Sequence, residues 1–175
     1  MVGELKAIDV QTMHWEQLKW GHRYHELRSG ETIYAKLEWT QAFGSMARSS
    51  SCEGVFTFKR GGFLHPYITI YREGFAVEAG RMNMEWRGSG ELVFSSIQRF
   101  RFDRKGFASY DYEVKDQRGD LLFDLRKHWG AFKHHGEVNI TVKGLACREL
   151  GMLLSLCWYL AVISEEDTAA AAAAP

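Results

Sequence analysis

From Thr32 onward, apolar and polar residues alternate with a period of two. Ile33, Ala35, Leu37 and Trp39 share one parity, while Thr32, Tyr34, Lys36 and Glu38 share the other. That alternation predicts a strand with one buried face. The same pattern returns after each turn signal. A strand is expected within Ala42 to Ser50 around Phe43, and Cys52-Glu53-Gly54 turns the chain into a strand with Phe56 and Phe58 inward. Gly61-Gly62 turns again, and Tyr67 to Tyr71 points Ile68 and Ile70 inward. After Arg72-Glu73-Gly74, the next strand is expected to carry Phe75, Val77 and Ala79, and Arg87-Gly88-Ser89-Gly90 closes it. Leu92 and Phe94 face Phe100 and Phe102. Tyr110, Tyr112 and Val114 follow, then Leu121, Phe123 and Leu125, then Val138, Ile140 and Val142. Residues 1 to 31 are less regular and predict one or two strands, including Tyr24 to Arg28. About 10 to 12 short strands at this spacing indicate an all-β barrel or sandwich.

One stretch breaks the pattern. Gly151 to Ile163, about 13 residues, carries no charge and is apolar on every face, and a helix of that kind must be buried all round. Leu145 to Ser164 is expected to be this helix, roughly 30 Å long at 1.5 Å per residue. About 12 strands spaced about 4.8 Å and tilted about 40° enclose a cylinder of about 12 Å radius. A helix with its side chains takes about 5 to 6 Å of that radius, and inward-pointing side chains fill the rest. The predicted fold is therefore mainly β: a closed antiparallel β-barrel of about 12 strands around a buried hydrophobic C-terminal helix, one domain over residues 1 to 167. Glu165-Glu166-Asp167 opposes the helix dipole, so the helix is expected to end there in water. Residues 168 to 175 form an Ala-rich tail left outside the fold. A transmembrane span needs about 20 apolar residues, more than the uncharged run supplies.

Composition narrows the function classes. The 175 residues carry 22 Lys plus Arg against 22 Asp plus Glu, with a pI near 7.1, so no long-range field favours nucleic acid or an anionic membrane, which leaves only a local basic patch. Cys52, Cys147 and Cys157 are odd in number and far apart, and are read as buried free thiols in a reducing compartment. The N-terminus lacks the apolar run of a signal peptide. A cytoplasmic protein, at most peripheral to a membrane, is the expectation. No nucleophile elbow, phosphate-cradling Gly loop or His-Glu-x-x-His motif occurs, so neither an enzyme nor a cofactor is expected.

Strands of this kind followed by one apolar helix resemble the tubby C-terminal-like superfamily, which includes phospholipid scramblases and LURP-one-related proteins. Leu37 to Ala47 and Gly54 to Pro66 also resemble uncharacterised bacterial proteins of that architecture. The resemblance spans about Thr32 to Asp167. It implies a closed 12-stranded barrel around a central helix and, as in the tubby branch, binding of phosphoinositide head groups by surface Lys and Arg. The cysteine-rich cluster and acidic calcium loop of scramblases are missing, so scrambling and calcium dependence are not implied.

Candidate sites follow from charge. Lys59 and Arg60, with Arg72 one strand away, and Arg99, Arg101, Arg104 and Lys105 could form a patch for an anionic head group. The alternative is that these charges keep an outer barrel face soluble. His22 and His25, or His128, His134 and His135, could ligate a metal, although the carboxylates or cysteines of a known site are missing; loop histidines and no metal are expected. Asp111 with Glu113, or Asp116 with Asp120, could serve as a paired acid and base, but at outward strand positions they are read as solvated carboxylates. Trp15, Trp20, Trp86 and Trp129 are candidate anchors for a partner or a membrane interface, or are buried at the rim. The leading expectation is a non-enzymatic barrel that binds an anionic phospholipid or a protein partner through its exterior. The alternatives are a hollow lipocalin-like carrier, with an internal cavity and an outside helix, or an interaction protein with no ligand.

Overall fold

A computed structural model describes residues 12–19, 21–41, 44–85, 87–95, 97–106, 109–128 and 133–173. The described residues form twelve strands: β1 (Met13–Gln17), β2 (Tyr24–Ser29), β3 (Thr32–Trp39), β4 (Ala47–Ser51), β5 (Gly54–Gly61), β6 (Tyr67–Arg72), β7 (Glu78–Met84), β8 (Gly90–Phe94), β9 (Gln98–Lys105), β10 (Asp111–Asp116), β11 (Leu121–His128) and β12 (His135–Ile140). Each pairs antiparallel with its sequence neighbours, and β1 closes on β12 with Met13 opposite Val138. No sheet edge is left open. Two helices follow, α1 (Val142–Leu145) and α2 (Leu150–Ala173).

α2 runs through the barrel. Every residue from Leu150 to Ser164 is buried, because inward side chains of the strands surround the helix on all sides. Trp158 stacks on Trp15 of β1 with ring centres 5.7 Å apart, and Tyr159 lies against Phe58 of β5 and Trp39 of β3. Close approach of the wall to Trp158 requires glycine at position 136, where a Cβ would stand 2.5 Å from the ring. At the start of the helix the orphan N–H groups of Gly151 and Met152 donate to the Glu53 carboxylate at 2.6 and 3.1 Å. A residue from the β4–β5 turn thus supplies the cap that the helix's own sequence does not. Burial raises the Glu53 pKa, opposed by these two hydrogen bonds.

Several sequence expectations need correction. Phe75 and Val77 lie in the β6–β7 turn, not in a strand, and β7 buries Gly80 and Met82. Within β7 the register shifts between Ile70 and Tyr71: Ile70 faces Gly80 but Tyr71 faces Glu78, so Ala79 is the extra residue of a bulge and the inward parity becomes that of Gly80 and Met82. Val142 is exposed and opens α1, whose N-terminus is capped by the Thr141 hydroxyl accepting from Gly144 N. The long helix begins at Leu150, not Leu145, and runs past the acidic triplet through Ala173, so the Ala-rich segment is helical that far. Cys52 is exposed; only Cys157 is fully buried, and Cys147 is half-buried in the α1–α2 turn, outside the helix. Strand β4 starts at Ala47, while Ala42 and Phe43 lie outside the described residues. No helix among the described residues is long and apolar enough to cross a membrane.

Candidate functional site

The barrel has two ends, and the predicted basic residues are divided between them. Arg60 lies where α2 leaves the barrel, paired with Asp167 at 2.6 Å. Arg72 lies where α2 enters, donating to the Glu53 carbonyl at 3.1 Å. Arg72 faces Phe56, four residues along β5 from Arg60, a separation of roughly 13 Å at 3.3 Å per residue. Lys59 is exposed on the outer wall beside Arg60. The structure therefore does not bring Lys59 and Arg60 together with Arg72.

The second predicted group forms a ladder of alternating charge on the outer face of β9 and β10. Arg99 pairs with Glu91 at 3.1 Å, Arg101 with Asp103 at 2.8 Å and with Glu85, and Lys105 with Glu113 at 2.7 Å. Lys115 joins Asp103 and Glu113. These contacts raise the Arg101 pKa through its bond to Glu85 and lower that of Glu113 through its bond to Lys105. The Arg104 guanidinium donates to the Ser109 carbonyl and lies 4.7 Å over the Tyr110 ring. Each of these cations is already engaged.

The other candidates are dispersed. His22 is exposed while His25 faces the barrel interior. His135 stacks between His14 and His128 on the outer wall, at 5.6 and 5.7 Å, and His134 turns inward to Glu165 at 2.9 Å. No group of three His, Cys, Asp or Glu side chains able to hold a metal occurs among the described residues. Asp111 accepts from Lys127 N, and Asp116 holds its turn by accepting from Arg118 N and Asp120 N. Trp15 is fully buried. Trp20, Trp86 and Trp129 lie outside the described residues.

What sequence reasoning missed is the rim around the start of α2. Phe75, Val77 and Ile97 are 61%, 70% and 82% exposed there. They stand on neighbouring turns, since Ser95 N donates to the Ala79 carbonyl at 2.8 Å. Beside them is a cleft of about 340 Å³ lined by Phe56, Phe94 and Ser95, with two cations, Arg72 and Arg148, and two carboxylates, Glu53 and Glu149. The Arg72 guanidinium lies 5.7 Å from both the Phe56 and Phe75 rings. Among the described residues neither Arg72 nor Arg148 forms an ion pair, although the Arg72 charge acts on the Glu53 carboxylate and opposes the rise in its pKa. The available signal was Glu73-Gly74, a turn directly before Phe75 that leaves it at a loop tip.

The opposite mouth holds a polar clasp. Glu165 is bonded to Lys127 and His134, Glu166 to Arg23 at 2.6 Å, and Asp167 to Arg60. Burial alone would raise the Glu165 pKa, but the bonds from His134 and Lys127 hold it down to about 2. Lys127 shares the inward parity of Phe123 and Leu125 and its side chain is only 2% exposed. A charge at an inward strand position was the signal for this clasp. Outside it, Phe63 and Leu64 of the β5–β6 loop are exposed beside a cleft of about 930 Å³. No family model, curated protein or solved structure matches the chain.

Proposed function

We propose that the protein is a non-enzymatic, peripheral module that docks on an anionic phospholipid surface through the rim around the start of α2. The interior is occupied by the helix, which leaves the exterior for recognition and takes the space a hollow carrier would need. The observation that carries the reading is the set of exposed tips Phe75, Val77 and Ile97 standing beside Arg72 and Arg148. Apolar tips enter the interfacial layer, each contributing up to about 1.5 to 3 kcal/mol if fully buried. Guanidinium groups beside them bond lipid phosphate, at about 1 kcal/mol per cation near an anionic leaflet. The resemblance to tubby-like proteins supports the reading, because a barrel around a central helix is the architecture it implies. A cytoplasmic, membrane-peripheral location belongs to the same reading, in keeping with three unpaired cysteines.

Co-sedimentation with phosphatidylcholine vesicles containing about a third phosphatidylserine tests it. Wild-type protein is expected to pellet with these vesicles. The combined variant Phe75→Ser, Val77→Ser, Ile97→Ser is expected to lose tenfold or more of that partition, and Arg72→Glu to weaken it. Lys59→Glu, on the outer face of β5 toward the opposite mouth, should bind as wild type. Absence of wild-type partition overturns the reading. A protein partner is the second reading, favoured by Phe63 and Leu64 beside the larger cleft at the other mouth. Equal loss of vesicle binding in Phe63→Ser, Leu64→Ser would put the lipid contact at that end instead.

A further inference from the structure

At the mouth where α2 leaves the barrel, three buried nitrogen atoms have no hydrogen-bond partner: Arg23 Nε, His25 Nε2 and Trp39 Nε1. They belong to one patch of inner wall. Trp39 N donates to the Arg23 carbonyl at 3.0 Å, so these two residues face each other across β2 and β3, and His25 is the next inward residue of β2. The Arg23 guanidinium lies 4.6 Å over the Trp39 ring, and the His25 and Trp39 rings are 5.5 Å apart.

All three atoms are donors. Trp158 Nε1 donates to His25 Nδ1 at 3.0 Å, so the neutral imidazole carries its own proton on Nε2. His25 is 1% exposed, which excludes bulk water as the missing acceptor. The carboxylates nearby bond elsewhere and do not reach these atoms: Glu166 accepts from Arg23 Nη2, and Glu165 from Lys127 and His134. Native structures leave few buried donors unmade, and each such group calls for a bound water or ion. A water would bring two protons of its own into a patch of donors. Burial lowers the His25 pKa most, and the neighbouring basic side chains of His134, Lys127 and Arg23 lower it further.

We propose that this patch binds a small inorganic anion of chloride size, held by the N–H groups of Arg23, His25 and Trp39. The anion ties β2 and β3 to the departing helix, through Arg23 to Glu166 and through His25 to Trp158. It is independent of the lipid-facing rim at the other end.

Thermal melting at constant ionic strength, with sodium gluconate replaced stepwise by sodium chloride, tests the site. The melting temperature is expected to rise by about 3 to 5 °C per tenfold increase in chloride above its dissociation constant. Trp39→Phe keeps the ring against Tyr159 and removes one donor, so the rise should begin at about tenfold higher chloride. Bromide should quench the tryptophan fluorescence of wild type along a saturable curve. Identical melting in chloride and gluconate would overturn the proposal and leave the donors to buried water. A chloride response unchanged in Trp39→Phe would overturn it as well, by placing the anion elsewhere.

Discussion

Gly136 shows how far single residues determine this interior. It is inward-facing on β12 directly under Trp158, where a Cβ would also stand 3.1 Å from the Arg126 carbonyl. Neither the indole, stacked on Trp15, nor a paired strand backbone can retreat. Gly136→Ala should therefore cost about 1 to 3 kcal/mol through overpacking, read as a lower midpoint in urea denaturation with an unchanged slope. A wild-type midpoint would mean that Trp158 has room to move. Lys127 makes the complementary point. Its ammonium sits at an inward position because Glu165 meets it there, and removing one member of a buried pair is far costlier than never having had the pair. The alternation pattern identified its neighbours Phe123 and Leu125 as core but carries no information on which helix carboxylate would answer a buried lysine.

At the scale of elements, strands with strict alternation were legible: β5, β6 and β8 to β10 bury the residues their parity assigns. β3 and β11 do so only in part, because register shifts opposite Tyr34 and Leu122 leave Ile33 and Leu121 half-buried and pack Tyr34 and Leu122 on the core instead. The uncharged helix was legible for the same reason, since no other placement hides every face. Two boundaries were not. The β6–β7 bulge inverts parity after Ile70, and no local residue type announces it. The acidic triplet looked like a helix end because its compensating cations, Lys127, Arg23 and Arg60, come from three distant segments. This clasp makes the helix exit sensitive to acid. Burial holds the His25 pKa down to about 3 from 6.5, with His134 and Lys127 adding to it, and Glu165 is held at about 2 from 4.5. Both groups bind more protons unfolded than folded. Stability is therefore full above about pH 6.5, falls as His25's unfolded pKa is crossed, and falls further below about pH 4.5. His25→Gln, which can still accept from Trp158 Nε1, should flatten the loss between pH 6.5 and 4.5 and leave the lower limb intact. Identical stability-against-pH curves for the two proteins would remove His25 from this account.

At the scale of the whole molecule, barrel and helix are mutually dependent: α2 has no polar face with which to meet water, and the strands have no other core. That dependence is why the proposed recognition is placed at a rim and not in an internal chamber. It can be examined through two of the cysteines. Cys157 is fully buried in mid-helix, and burial raises its thiol pKa well above the ordinary value, whereas Cys52 stands exposed in the β4–β5 turn. The decisive measurement is the rate at which a thiol reagent labels each of them in the native protein, resolved by peptide mass analysis. Cys52 is expected to react at once and Cys157 only at the rate of global unfolding, accelerating with urea in step with loss of structure. Prompt native-state labelling of Cys157, at a rate indifferent to urea, would contradict a helix enclosed by the barrel.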